Sequence, residues 1–223
     1  MELNTYKNCK KEFISLLTQN VGTRDKWQVF CDFVELSAIA ISNRWDYVHY
    51  EEREQRYLQL VGSYTREEMD RFGFMLSCVI IACGLSEDDP KDFLGEIYHE
   101  LELHDKWKGQ FFTPIHICSF MAELQMADTE KTLESQPYVT VNDPCGGSGA
   151  MLLGYAGAMQ RHKLDYQTKM RAIITDIDLK CVHMSYIQMT LYNIPAVIIH
   201  GNSLTLEEQS RWFTPALYRA VAN

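Results

Sequence analysis

The 223-residue sequence has no apolar run approaching the roughly 18 residues that a membrane-spanning helix requires. Its opening, MELNTYKNCKKEF, holds no apolar stretch of secretory-signal length, so a cytoplasmic location is expected. The seven cysteines are odd in number and form no CxxC pair or Cys/His cluster with zinc-ligand spacing, which argues against a disulfide framework or a metal centre. Cys78 and Cys83 fall inside the apolar run 74–85, where a thiol packs as a small hydrophobe. Positive charge is short: 21 Lys and Arg against 30 Asp and Glu leave a net charge of −9. With no broad basic face in view, DNA binding through this chain alone is not expected. There are no repeats or low-complexity tracts, and none of the six prolines is followed by another. What is present is an ordinary globular balance, 46% hydrophobic and 23% charged, enough for one good core with a helical appendage.

Residues 1–108 carry helical periodicity. Between Trp27 and Arg44, the residues Val29, Phe30, Phe33, Val34, Leu36 and Ile39 recur on one stripe. A second helix is predicted over 51–61. A third opens at Thr65, where TREE has the form of a capping box, and runs through Phe72, Met75, Leu76, Val79 and Ile80 to Gly84. A fourth spans 91–103. From 109 the pattern changes. Pro114 suits the first position of a helix over 115–126, and 127–137 reads as loop. Short β-rich runs at 138–141, 171–175 and 196–199 alternate with helical stretches at 150–160 and 179–192. That rhythm predicts parallel βαβ units, hence an α/β domain over 109–223 behind a helical domain over 1–108. The triplet FTP occurs at 112–114 and again at 213–215, and is read as coincidence.

The chemistry concentrates after the first predicted strand, in DPCGGSGA at 143–150. A strand ending in an acid, then a glycine-rich turn, then a helix holds nucleotide-like ligands, because glycines allow close backbone approach and positive φ. The spacing is neither GxGxxG nor a P-loop. Asp176 ends the second strand, where a carboxylate can accept both hydroxyls of a ribose, while Asp178 suits the N-cap of the next helix. After the third strand, Asn202 offers an amide oxygen to an adenine amino group, and a plain turn explains that segment equally well. Trp212, Phe213 and Tyr218 are aromatic enough to stack a base, but packing is the simpler reading.

Together, GQFFTP (109–114), DPCGGSGAML (143–152), TDID (175–178) and GNSL (201–204) resemble the N6-adenine DNA methyltransferases, above all the modification subunit of type I restriction systems. DFLGEIY at 92–98 resembles the helix that precedes the first of these motifs in those subunits. The resemblance implies a partial Rossmann-like methyltransferase sheet and S-adenosylmethionine as cofactor. It implies that Gln110, Phe111, Phe112, Thr113 and Pro114 cover that cofactor, with Thr113 near its methionine carboxylate. Asp143, Pro144, Gly146 and Gly147 belong to the binding loop, and Ser148, Gly149 and Ala150 run along the methionine moiety. Asp176 and Asn202 take the ribose and adenine. Gly146 and Ser148 replace the family's small apolar residue and threonine, and Asn202 stands where the family usually has aspartate.

Family catalysis uses an Asn/Asp-Pro-Pro-Tyr/Phe motif whose polar side chain holds the target amino group and whose aromatic ring stacks on the flipped base. This sequence has no Pro-Pro. Two readings therefore stand. One is an adenine methyltransferase working by direct displacement. The other is a module that keeps the cofactor fold and acts through a partner subunit, in restriction-modification or on a mobile element. Residues 205–223 are too few for the family's remaining strands. The first strand would then be an exposed apolar edge, to be covered by that tail, by the helical part, or by a protein partner or self-association.

Overall fold

The computed structural model describes residues 3–22, 24–101 and 112–222. Helices α1 (Tyr6–Gln19), α2 (Lys26–Ser42), α3 (Tyr50–Val61), α4 (Arg66–Gly84) and α5 (Phe93–Glu100) come first. Short polar side chains start most of them: Thr5, Asp25 and Asp92 each accept an N–H from the first turn of their helix. Thr65 and Glu68 form the reciprocal capping box that the sequence predicts. The stripe read between Trp27 and Arg44 makes α2 the central helix, with Val29, Phe30, Phe33, Val34 and Ala38 fully buried. Helix α2 lies against α1, α3 and the sheet-covering helix α10 (Leu179–Leu191).

The second half runs α6 (Ile115–Glu123), α7 (Met126–Leu133), β1 (Val139–Asp143), α8 (Ala150–Arg161), α9 (Tyr166–Lys169), β2 (Met170–Asp176), α10, β3 (Ala196–Asn202), β4 (Glu207–Phe213) and α11 (Pro215–Ala222). Strands β1, β2 and β3 are parallel, joined by crossovers through α8 and α10, and β4 runs antiparallel on β3. The fold is α/β with a four-stranded mixed sheet in the order β1-β2-β3-β4. Register puts Val139, Ala172, Ile174, Ala196, Ile198 and Trp212 on one buried face, where Trp212 meets His183 and Tyr186 of α10. The alternate residues Arg171, Ile173, Val197 and Ile199 are only partly buried, and Thr140 is exposed.

Two local readings are corrected, and one helix is added to those the pattern marked. Residues 127–137 are not all loop, because α7 fills 126–133; this polar helix turns Met126 and Thr129 inward, and Thr129 hydrogen-bonds the hydroxyl of Tyr155. The tail does not cover β1. It forms β4 and α11 at the opposite edge, leaving β1 without a strand on its outer side among the described residues. The N-terminal part begins a helix earlier than the first stripe, with α1, which packs along α4. The predicted helix over 91–103 is seen as α5 to Glu100. Residues 102–111, which include the 108/109 boundary expected between helical and α/β parts, lie outside the described residues.

The two FTP triplets serve different ends. Thr214 is wholly buried and bridges Ile194 O (2.8 Å) and Ala196 N (2.9 Å), whereas Thr113 is exposed. Arg53 ties helices to sheet. Its Nη2 donates to Arg211 O (2.9 Å), its Nη1 to Asp46 Oδ2 (2.8 Å) and to Ser42 Oγ, and its guanidinium lies 3.8 Å from the centre of the Trp212 ring. Trp212 thus packs in the core, as its simpler reading had it. No helix is long and apolar enough to cross a membrane among the described residues.

Candidate functional site

Parallel strands joined by helices bring their carboxyl ends to one edge of the sheet, where a ligand crevice forms. Here that edge gathers the glycine loop after β1, the turn after β2 and the β3–β4 hairpin. They enclose a cleft of about 440 Å³, within the range of small-ligand sites. Phe112, Pro144, Gly147, Asp176 and Asn202 line it, together with Cys145, Ile177, Gly201, Ser203 and Leu204.

The loop is fixed from every side. Asp143 Oδ1 accepts the N–H of Cys145 (3.1 Å), turning the chain as it leaves β1. Gly146 N donates to Thr175 O (3.0 Å), Gly149 N to Gly146 O (2.8 Å), and Ser185 Oγ to Gly147 O (2.8 Å). Pro144 O accepts from Ser203 Oγ (2.6 Å), which binds the loop to the hairpin. Gly147 has φ +54°, in the left-handed region, and a β-carbon there would stand 2.8 Å from Cδ1 of Phe112. That ring is boxed by Tyr98 and His99, with centroids at 4.8 and 5.6 Å.

Asp176 is the charged centre of the cleft. Its Oδ2 accepts Gly147 N (2.8 Å) and its Oδ1 accepts Asp178 N (2.8 Å). Burial raises its pKa above the ordinary carboxylate value, and Asp178 and Asp143 push the same way, against those two N–H donors. Burial likewise raises Asp143. Asp178 accepts Lys180 N (3.0 Å) and caps α10. Asn202 uses its amide oxygen within the hairpin, accepting Leu204 N (2.9 Å) and Thr205 N (3.4 Å).

The remaining sequence-predicted residues divide. Gly146, Ser148, Gly149 and Ala150 are buried beneath the cleft and do not line it. Thr113 and Pro114 are exposed, lie outside the cleft lining and lead into α6, with Thr113 O accepting from Cys118 Sγ (3.6 Å). Gln110 and Phe111 lie outside the described residues.

Sequence reasoning missed two kinds of residue. Ile177 (65% exposed) and Leu204 (93% exposed) present apolar side chains to the cleft next to Asp176 and Asn202. An apolar residue between two acids, in TDID, was the available signal. The other is Asp92, which is buried and bonded to Ser148 from 56 residues away, a link no local pattern reveals. A carboxylate beside a glycine turn, flanked by apolar surface, suits a ligand that joins a hydroxylated sugar to a flat ring.

Residues 89–223 match the family model described as N-6 DNA Methylase. Among curated proteins no match is found.

Proposed function

The chain belongs to the N-6 DNA methylase family, and we propose that its cleft binds S-adenosylmethionine for methylation of the N6 amino group of adenine in DNA. The observation that carries this reading is Asp176. It stands at the carboxyl end of β2, on the cleft wall beside the glycine loop, aligned by the backbone N–H groups of Gly147 and Asp178. A carboxylate retains lone pairs for a ribose diol after accepting two N–H bonds. Ile177 and Leu204 supply apolar surface for the adenine ring, and Gly147, lacking a side chain, lets the backbone approach the ligand. The cofactor, when bound, supplies an electrophilic sulfonium methyl. This chain's contribution is to hold and orient it, which is the larger part of catalysis where positioning dominates the barrier.

The likeness to the modification subunit of type I restriction systems supports a two-part arrangement. The motifs of this sequence are those of the cofactor side, and a Pro-Pro to hold the target amino group is not among them. The net charge of −9 favours DNA contact through the surface of a protein partner rather than through this chain alone. The second reading is a cofactor-fold module that works through a partner, for which the outer side of β1, without a strand among the described residues, is a candidate contact edge.

Transfer of a radiolabelled methyl group from S-adenosylmethionine to adenine-containing DNA tests both. N6-methyladenine formed by the chain alone, and abolished by Asp176→Ala, supports the catalytic reading. Cofactor binding without transfer supports the module. Neither binding nor transfer overturns both.

A further inference from the structure

Beneath the glycine loop lies a buried polar network that joins it to the helical part. Asp92 Oδ2 accepts from Ser148 Oγ (2.6 Å), and Asp92 Oδ1 accepts from Gln188 Nε2 (2.8 Å) and from Gly95 N (3.0 Å). Gln188 Nε2 also donates to Ser148 O (2.8 Å), and its Oε1 accepts Leu94 N (3.1 Å). Asp92, Ser148 and Gln188 are 4%, 1% and 0% exposed. Three elements distant in sequence, α5, the loop and α10, thus share one set of hydrogen bonds. At the far end of α5, Tyr98 packs on Phe112, which in turn rests over Gly147. The helix therefore grips the loop at two points.

A second observation is independent of the bonds. A β-carbon on Gly95 would sit 1.9 Å from Oδ2 of Asp92. Gly95 leaves room for the carboxylate to fold back over the first turn of α5 and still reach Ser148. Nothing else in a helix of this kind calls for glycine, which is a poor helix former compared with alanine.

We propose that Asp92 is a positioning residue: through Ser148 and Gln188 it holds the glycine loop in the conformation that receives the cofactor, and Gly95 exists to admit its carboxylate. The functional half of this inference rests on the cofactor reading above. The structural half does not, because every hydrogen bond of the clamp runs between this chain's own residues. Asp92 does not line the cleft and acts on it only through the loop.

The deciding variants are Gly95→Ala, Asp92→Ala, their combination, and Asp92→Asn. Amide hydrogen exchange across 145–150 is measured without ligand, and S-adenosylmethionine affinity by calorimetry. Tyr64→Phe, which loses a hydrogen bond to Asp32 far from the loop, serves as the control for general destabilisation. Asp92→Ala is expected to speed exchange in 145–150 at least tenfold while β2 stays protected, and to weaken cofactor affinity at least tenfold.

Gly95→Ala separates the clamp from ordinary helix energetics. Helix propensity alone predicts a more stable protein with an unchanged loop. The clamp predicts faster loop exchange and weaker binding. Adding Gly95→Ala to Asp92→Ala is expected to cause no further loss, since the carboxylate it displaces is gone. Asp92→Asn, which keeps an acceptor for Gly95 and a donor for Ser148, is expected to restore most of the loop's protection. Unchanged loop exchange in both Asp92→Ala and Gly95→Ala, or the same loss in Tyr64→Phe, would overturn the proposal. A wild-type chain that binds no cofactor but loses loop protection in Asp92→Ala would sink the cofactor reading and leave the clamp standing.

Discussion

Gly147→Ala perturbs the glycine loop at its tightest point, and the structure allows its cost to be worked out. At φ +54° an L-residue pays about 1–2 kcal/mol for the left-handed conformation. The new methyl would then meet Phe112 Cδ1 at 2.8 Å. Phe112 is 8% exposed and held by Tyr98 and His99, so its ring cannot swing clear, and overpacking of this kind costs about 1–3 kcal/mol. Against this, alanine narrows the unfolded ensemble, a gain of about 0.4–1 kcal/mol. The net expectation is a loss of about 1–4.5 kcal/mol, centred near 3, or a melting point lower by roughly 2–4 °C for each kcal/mol in a chain of this size. Thermal unfolding followed by circular dichroism reads this directly. Gly73→Ala is the matched control: Gly73 lies exposed within α4 with open space around its would-be β-carbon, and alanine there should stabilise by about 0.5–1 kcal/mol. Adding Phe112→Ala to Gly147→Ala should remove the steric share and leave the backbone share. A Gly147→Ala protein that melts at or above the wild-type temperature would refute the reasoning.

Three further outcomes follow from the same geometry. Arg53→Met takes the guanidinium from Asp46, which is 3% exposed and keeps only His49 Nδ1 at 2.8 Å as a side-chain partner, and should cost about 1.5–3 kcal/mol in urea unfolding; a loss under about 0.5 kcal/mol would show the pair to be peripheral. Burial, helped by His200 and Arg53, lowers the pKa of His183 to about 3. The unfolded chain binds that proton near pH 6.5, so stability is full above that pH. It should fall by up to about 1.4 kcal/mol per unit from this residue as pH drops towards 3, a slope that His183→Gln should flatten. Asp176→Asn turns an amide N–H towards one of two backbone donors and removes the charge, so cofactor affinity should fall roughly tenfold to a hundredfold. Because burial raises the pKa of Asp176, wild-type affinity should begin to fail, as pH is lowered, above the usual carboxylate range near 4; calorimetry across pH with the variant as reference reads it.

Much of the fold was legible because its helices and buried strands obey simple periods. The α2 stripe, the Thr65 capping box and the alternation of β1, β2 and β3 with α8 and α10 all appear where residue pattern places them. Strand β4 was hidden because EEQSRWF lacks the β-branched residues of a buried strand. Its pairing with β3 is a backbone matter, and its exposed Glu207, Glu208 and Arg211 are the charges that keep an edge strand from pairing further. Helix α7 escaped for a related reason, since of its eight residues only Met126 and Thr129 are buried, with Leu133 partly so. At the site, glycine spacing and the strand-end acids located the cleft. What the sequence could not show was the division of labour inside the motif: Ser148 faces Asp92 beneath the loop, and the Asn202 amide oxygen shapes the hairpin. Both depend on partners brought together only by folding.

The central claim is that the cleft between the glycine loop, Asp176 and the β3–β4 hairpin holds S-adenosylmethionine. Isothermal titration of the purified chain with that cofactor tests it most directly. The account predicts saturable one-to-one binding that Asp176→Ala weakens at least tenfold. No heat of binding up to millimolar cofactor, or binding that Asp176→Ala leaves unchanged, would contradict it.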